Sequence, residues 1–149
     1  MLTIDKPKYG WSKLTIKCHG KDCNVALSYI DDIALYFLNK FLDYLENVEN
    51  AEDTLVLTID EEGNTKKIIA DAYRIYIIDE GAETLFVSDL SVLNFISICI
   101  SEFKKNLSDW ADFAIFDEFE TNYKTKVQNK EKELETKIHI ISQMLNSKL

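Results

Sequence analysis

The residues that break secondary structure are confined to the first part of this chain. Its glycines stand at 10, 20, 63 and 81, its one proline is Pro7, and beyond Gly81 neither residue recurs. Glycine and proline punctuate turns, and a long stretch free of both suits helix. The distribution therefore predicts strands and turns first and helices afterwards. At 149 residues and 46% hydrophobic content the chain is long and apolar enough to bury a core of its own. We expect one domain over 1–149, with a sheet and a first helix in 1–90 and a helical C-terminal part in 91–149.

Periodicity fills in these two parts. From Trp11 to His19, Leu14, Ile16 and Cys18 alternate with Lys13, Thr15 and Lys17, the pattern of a half-buried strand. His19-Gly20-Lys21-Asp22 reads as a turn, and Cys23 to Ser28 returns to complete a hairpin. Ser28 followed by Asp31 resembles a capping box, ahead of Ile30, Ile33, Ala34, Phe37, Leu38, Phe41, Leu45 and Val48 at helical spacing. Leu55, Leu57 and Ile59 alternate as a strand before the Asp60–Asn64 turn. Residues 65–79 are β-rich and too long for one ordinary strand, so they form two strands or one bent at 70–72. A short strand at 84–88 follows. Val92 to Phe103 marks a second helix begun at Ser91. Ser108 and Asp109 can cap a third stretch holding Trp110, Phe113, Phe116, Phe119 and Tyr123, which runs on to Leu145 with a break near Phe116-Asp117. The order ββ-α-ββ(ββ)-α-α implies an α+β fold: a mostly antiparallel sheet, helices on one face, and a long C-terminal helix.

Composition narrows the function classes. No segment approaches the roughly 18 consecutive apolar residues of a membrane span, and the first residues lack the apolar core of a secretory signal. Three cysteines are no disulfide framework and fit a reducing cytoplasm. A net charge of -9, with Arg74 the sole arginine, argues against phosphate recognition and so against nucleic acid. No glycine loop can cradle a phosphate. His19 and His139 are the only imidazoles, and neither sits in a nucleophile elbow or a zinc-protease helix. The sequence thus predicts neither an enzyme nor a resident cofactor or metal, although an enzyme or small-ligand binder without a recognisable motif stays open.

Several residues could carry chemistry. Cys18, His19 and Cys23 place metal-capable side chains around one turn, without the second ligand pair of a structural zinc site. Cys18 and Cys23 could face each other across the hairpin. Arg74, between aromatic neighbours, suits an outward strand position with its stem on Tyr73 and Tyr76. The aromatic row from Trp110 to Tyr123 suits core better than a ligand face.

Charge is more informative. Residues 31–63 hold ten acids against Lys40 alone, a balance equal to that of the whole chain, whereas residues 1–30 lean basic and 104–149 are neutral. If helix and turn meet, Asp43, Glu46, Glu49, Glu52, Asp53, Glu61 and Glu62 form one acidic patch that would steer association with a basic protein. The run Trp11-Ser-Lys-Leu-Thr-Ile, the Leu27-Ser-Tyr-Ile-Asp-Asp entry to a helix, and the Asp60-Glu-Glu-Gly hairpin resemble small α+β immunity proteins of bacterial polymorphic toxin systems. The resemblance covers about two-thirds of the chain. It implies a non-catalytic protein that neutralises a toxin by binding it. A different class, an assembly module that forms homo-oligomers through the C-terminal helix seam of Tyr123, Val127, Leu134, Ile138, Ile141 and Leu145, is the other expectation.

Overall fold

The computed structural model describes residues 1–115 and 121–148. The expected α+β order is present, but the strands form two antiparallel sheets rather than one. The first sheet has the order β1 (Leu2–Ile4), β2 (Trp11–Cys18), β3 (Lys21–Ser28), and the second runs β4 (Leu55–Asp60), β5 (Thr65–Ala70), β6 (Ile75–Asp79), β7 (Thr84–Ser88). Strand β1 escaped the sequence reading because only Leu2 and Ile4 carry its alternation. It sits on β2 with Leu2 opposite Ile16 and Ile4 opposite Leu14, all four buried.

The β2–β3 turn is tighter than expected. Only His19 and Gly20 lie outside the strands, with φ of 51° and 74°. Two successive positive φ values match the right-handed twist of a two-residue hairpin, and glycine supplies the second at no steric cost. Residues 65–79 resolve into two strands because Asp71 makes a turn: its Oδ1 accepts the amides of Tyr73 and Arg74, each at 2.8 Å. Arg74 accordingly lies in that exposed turn, not at an outward strand position.

Helix α1 (Ile33–Asn47) is capped by Asp32, whose Oδ1 accepts the Leu35 amide at 3.4 Å. The expected Ser28–Asp31 box does not form. Ser28 is the last residue of β3, and its hydroxyl accepts the Ile30 amide at 3.3 Å. Ile30 thus precedes the helix and is 59% exposed. Helix α2 (Val92–Lys105) starts on Ser91 as expected. Helix α3 (Leu107–Ala114) begins before the expected caps, so Asp109 falls inside its first turn, where a carboxylate suits the helix dipole. Helix α4 spans Tyr123–Lys148. The expected break at Phe116-Asp117, and the Phe116 and Phe119 members of the aromatic row, fall outside the described residues.

The core lies between the inner sheet faces and the helices. Its spine is a chain of edge-to-face aromatic rings: Phe95–Phe41 at 5.9 Å, Phe41–Phe37 at 5.8 Å, Phe37–Phe103 at 5.6 Å, Phe103–Trp110 at 5.1 Å and Trp110–Phe113 at 5.2 Å. Trp110 and Phe113 are therefore core, as aromatics at helical spacing usually are.

Helix α4 packs on α1, α2 and α3 and buries Leu134, Ile138, Ile141 and Leu145. The break in its apolar seam at Lys130 has a local cause. The Lys130 ammonium meets Asp32 Oδ2 at 2.7 Å and Glu133 at 3.3 Å, so the carboxylate that caps α1 also anchors α4. Burial pulls the Lys130 pKa down, but the hydrogen bond and charge of Asp32, with Glu133, outweigh it and hold it above the ordinary lysine value.

Candidate functional site

The seven acids do not make one patch. The hydroxyl oxygen of Tyr36, in the first half of α1, accepts the Thr58 amide of β4 at 2.9 Å, so the start of the helix lies beside the end of the strand. A six-residue strand spans roughly 17 Å. Asp43, Glu46, Glu49, Glu52 and Asp53 therefore cluster at the Leu55 end of β4, and the Glu61–Glu62 turn stands at the other end.

Within the first cluster, Asp43, Glu46, Glu49 and Glu52 are exposed and have no ion-pair partner among the described residues. Asp53 is a loop clasp: its Oδ2 accepts the amides of Glu49 at 2.7 Å and Asn50 at 3.0 Å. Those backbone hydrogen bonds favour the charged form and hold its pKa below the usual value. A folded-state pKa below the unfolded one gives stability that is present above the ordinary carboxylate value and lost as pH falls through the folded value. We predict that the clasp stays closed as pH falls through the ordinary carboxylate range and opens only below it. Asp53→Ala should speed hydrogen exchange at the Glu49 and Asn50 amides at neutral pH. The Ala82 amide, held instead by Asp79 at 3.0 Å, should be unchanged.

Glu61 is not a surface acid. Its side chain is 9% exposed and accepts three hydrogen bonds: from the Ala26 amide at 2.7 Å, Asn64 at 2.9 Å and Lys66 at 3.0 Å. Lys66 also donates to the Asn24 carbonyl at 2.7 Å and lies 3.8 Å from Asp79. This node fastens the β4–β5 hairpin to β3. Charge counting could not separate Glu61 from its neighbour Glu62, which is exposed, because the difference lies in tertiary contacts.

The largest feature that the acidic-patch reading missed is apolar. Strand register aligns Val56, Ile69, Tyr76 and Val87 across β4–β7, with Thr58, Lys67, Ile78 and Leu85 in the adjacent row. Directly paired residues share a face, and these rows form the outer one, since Leu57, Ile68 and Ile77 of the intervening row are buried. On this outer face Val56 is 41% exposed, Leu85 61% and Val87 38%. An antiparallel sheet with one solvated face normally alternates apolar with polar residues. Here the continuous apolar run Ile75-Tyr76-Ile77-Ile78 was the available signal.

Two grooves lie among the described residues. One, of about 370 Å³, is lined by Tyr44, Val48, Glu49, Asn50, Ala51, Ala72, Leu93 and Lys148, next to the first acidic cluster. The other, of about 450 Å³, includes Lys104, Leu107, Glu135, His139 and Ser142. There the Ser142 hydroxyl donates to the Ile138 carbonyl of its own helix at 2.8 Å, so it is not held by His139 as a nucleophile would be by its base.

The cysteines separate as well. Register sets Cys18 opposite Lys21 and Cys23 opposite Ile16, so the two thiols are diagonal rather than directly facing. All three cysteines are free. Burial pushes the Cys99 thiol well above its ordinary pKa and raises Cys23, against partial opposition from Lys66. A short alkylation pulse on the native protein should label Cys18 and Cys23 and spare Cys99. A third label should appear only in denaturant. Cys18, His19 and Asp89 come together: their ligand atoms lie within 4.8 Å of one another, and His19 Nε2 is 2.8 Å from Asp89 Oδ2. Cys23 is not part of that group. No described helix is long and apolar enough to cross a membrane. No family model, curated protein or solved structure matches the chain.

Proposed function

We propose that this chain is a non-catalytic protein-binding module, of the immunity type, that docks a basic protein on the outer face of its four-stranded sheet. The observation that carries the reading is that exposed apolar face. Contiguous apolar surface open to water is costly and marks interaction sites in soluble proteins. Tyr76 at its centre is the residue type that anchors interfaces. Exposed carboxylates with no ion-pair partner among the described residues stand at both ends of the same sheet, Glu62 and Glu83 at one and Glu49 and Glu52 at the other. In this arrangement apolar contact supplies affinity, and the acids supply steering and selection of a basic partner. The resemblance to immunity proteins makes a toxin the partner class, and the free thiols suit a reducing cytoplasm as the place of action. Leu134, Ile138, Ile141 and Leu145 of the α4 seam are buried within the chain, which favours this reading over assembly through that helix.

The partner is to be captured on the immobilised chain from a lysate of the source cell, identified and purified. The expected partner carries net positive charge. Hydroxyl-radical footprinting should then lose labelling at Tyr76 and Leu85 in the complex. Reversing Glu46, Glu49 and Glu52 to Lys should slow association by about tenfold or more at low salt and flatten its salt dependence. An acidic partner, or full labelling of Tyr76 and Leu85 in the complex, sinks the proposal.

A further inference from the structure

The geometry points to a zinc site built from Cys18, His19 and Asp89, which would join the β2–β3 turn to the segment between β7 and α2. The three donors are a sulfur, a ring nitrogen and a carboxylate oxygen, the set that binds Zn²⁺. Their ligand atoms already lie within 4.8 Å of one another. Tetrahedral zinc bonds of about 2.0–2.3 Å place ligand atoms roughly 3.5 Å apart. Closing the site therefore needs ligand-atom movements of about 1 Å.

Two further observations support the assignment. The two-residue turn places His19 at φ 51°, left-handed geometry that histidine adopts more readily than most residues, and its ring meets Asp89 across 70 residues of sequence. The hydrogen bond between His19 Nε2 and Asp89 Oδ2 at 2.8 Å already keeps two of the three donors side by side. Binding replaces the Cys18 thiol proton, which passes to solvent, and the proton between His19 Nε2 and Asp89 Oδ2, which is taken up on Nδ1 as the imidazole changes tautomer; thiolate, carboxylate and neutral imidazole are left to balance the dication. Three protein ligands leave the fourth position to water, so the site is open rather than closed. The spacing of Cys18 and His19 was visible in the sequence, but their partner is Asp89, far along the chain, and not the nearby Cys23.

The test uses the full chain, reduced and freed of metal, titrated with Co²⁺ as a spectroscopic stand-in and then with Zn²⁺. A thiolate-to-cobalt charge-transfer band is expected, displaced by Zn²⁺. Cys18→Ser should abolish the band. His19→Asn, which tolerates the same backbone conformation, and Asp89→Asn should each weaken Zn²⁺ binding by about tenfold or more. Cys23→Ser should bind as the parent does. As a check that does not depend on the variants, Zn²⁺ should protect Cys18 from alkylation in the parent chain and leave the Cys23 rate unchanged. Absence of the band, its survival in Cys18→Ser, its loss in Cys23→Ser, or equal protection of both thiols would overturn the assignment.

Discussion

Phe37→Ala should remove about 3–5 kcal/mol of folding stability, measured as a drop in the urea midpoint at constant slope. Phe37 is fully buried at the centre of the aromatic spine. It meets Phe41 at 5.8 Å and Phe103 at 5.6 Å, both edge-on. Truncation costs the transfer free energy of the ring and leaves a cavity between α1 and α2, whose walls are themselves large rings that relax poorly. A domain of this size has roughly 5–15 kcal/mol in total, so the loss is a large fraction of its stability. Ile30→Ala is the matched control. Ile30 continues the same helical apolar pattern in sequence, yet it is 59% exposed, and its truncation should change stability by no more than about 0.5 kcal/mol. Comparable losses in both variants would mean that α1 begins earlier and packs differently.

Lys66→Met should cost about 3 kcal/mol or more, by stranding charge rather than by making a cavity. The Lys66 side chain is 14% exposed and serves Glu61, Asp79 and the Asn24 carbonyl together. Without its ammonium, the Glu61 carboxylate stays buried with only the Ala26 amide and Asn64 as partners. Adding Glu61→Gln removes the stranded charge, so the double variant should regain part of the loss. A double-mutant cycle should give a coupling of about 1 kcal/mol or more. Additive losses would mean that Lys66 and Glu61 act independently, and that β3 is held to the β4–β5 hairpin by packing alone.

The fold was legible where one face of an element is apolar. The alternation in β2 and β4 and the helical stripes of α1 and α2 state which side is buried, and each element lies within a few residues of its expected place. Legibility failed where a long-range contact decides. Asp32, not Ser28, caps α1, in a position fixed also by Lys130 from 98 residues away. The second half of the candidate patch failed for the same reason: Glu61 and Glu62 are equivalent in sequence, and only the Lys66 node makes one internal. The sheet face was present in the sequence as the run Ile75–Ile78 and its neighbours. Such a run is equally what a strand buried on both sides would display, and only the register and the exposure of Val56, Leu85 and Val87 tell the two apart.

The proposed docking face is tested most directly by the affinity of the captured and purified partner for Tyr76→Asp and Val87→Asp, each compared with the parent chain by calorimetry. Both residues point away from the core, so circular dichroism and the urea midpoint should confirm that the variants fold. A charge at the centre of the apolar face should weaken binding by about thirtyfold or more, the scale of an interface hot spot. Unchanged affinity in two folded variants would contradict the account and move the binding surface elsewhere on the molecule.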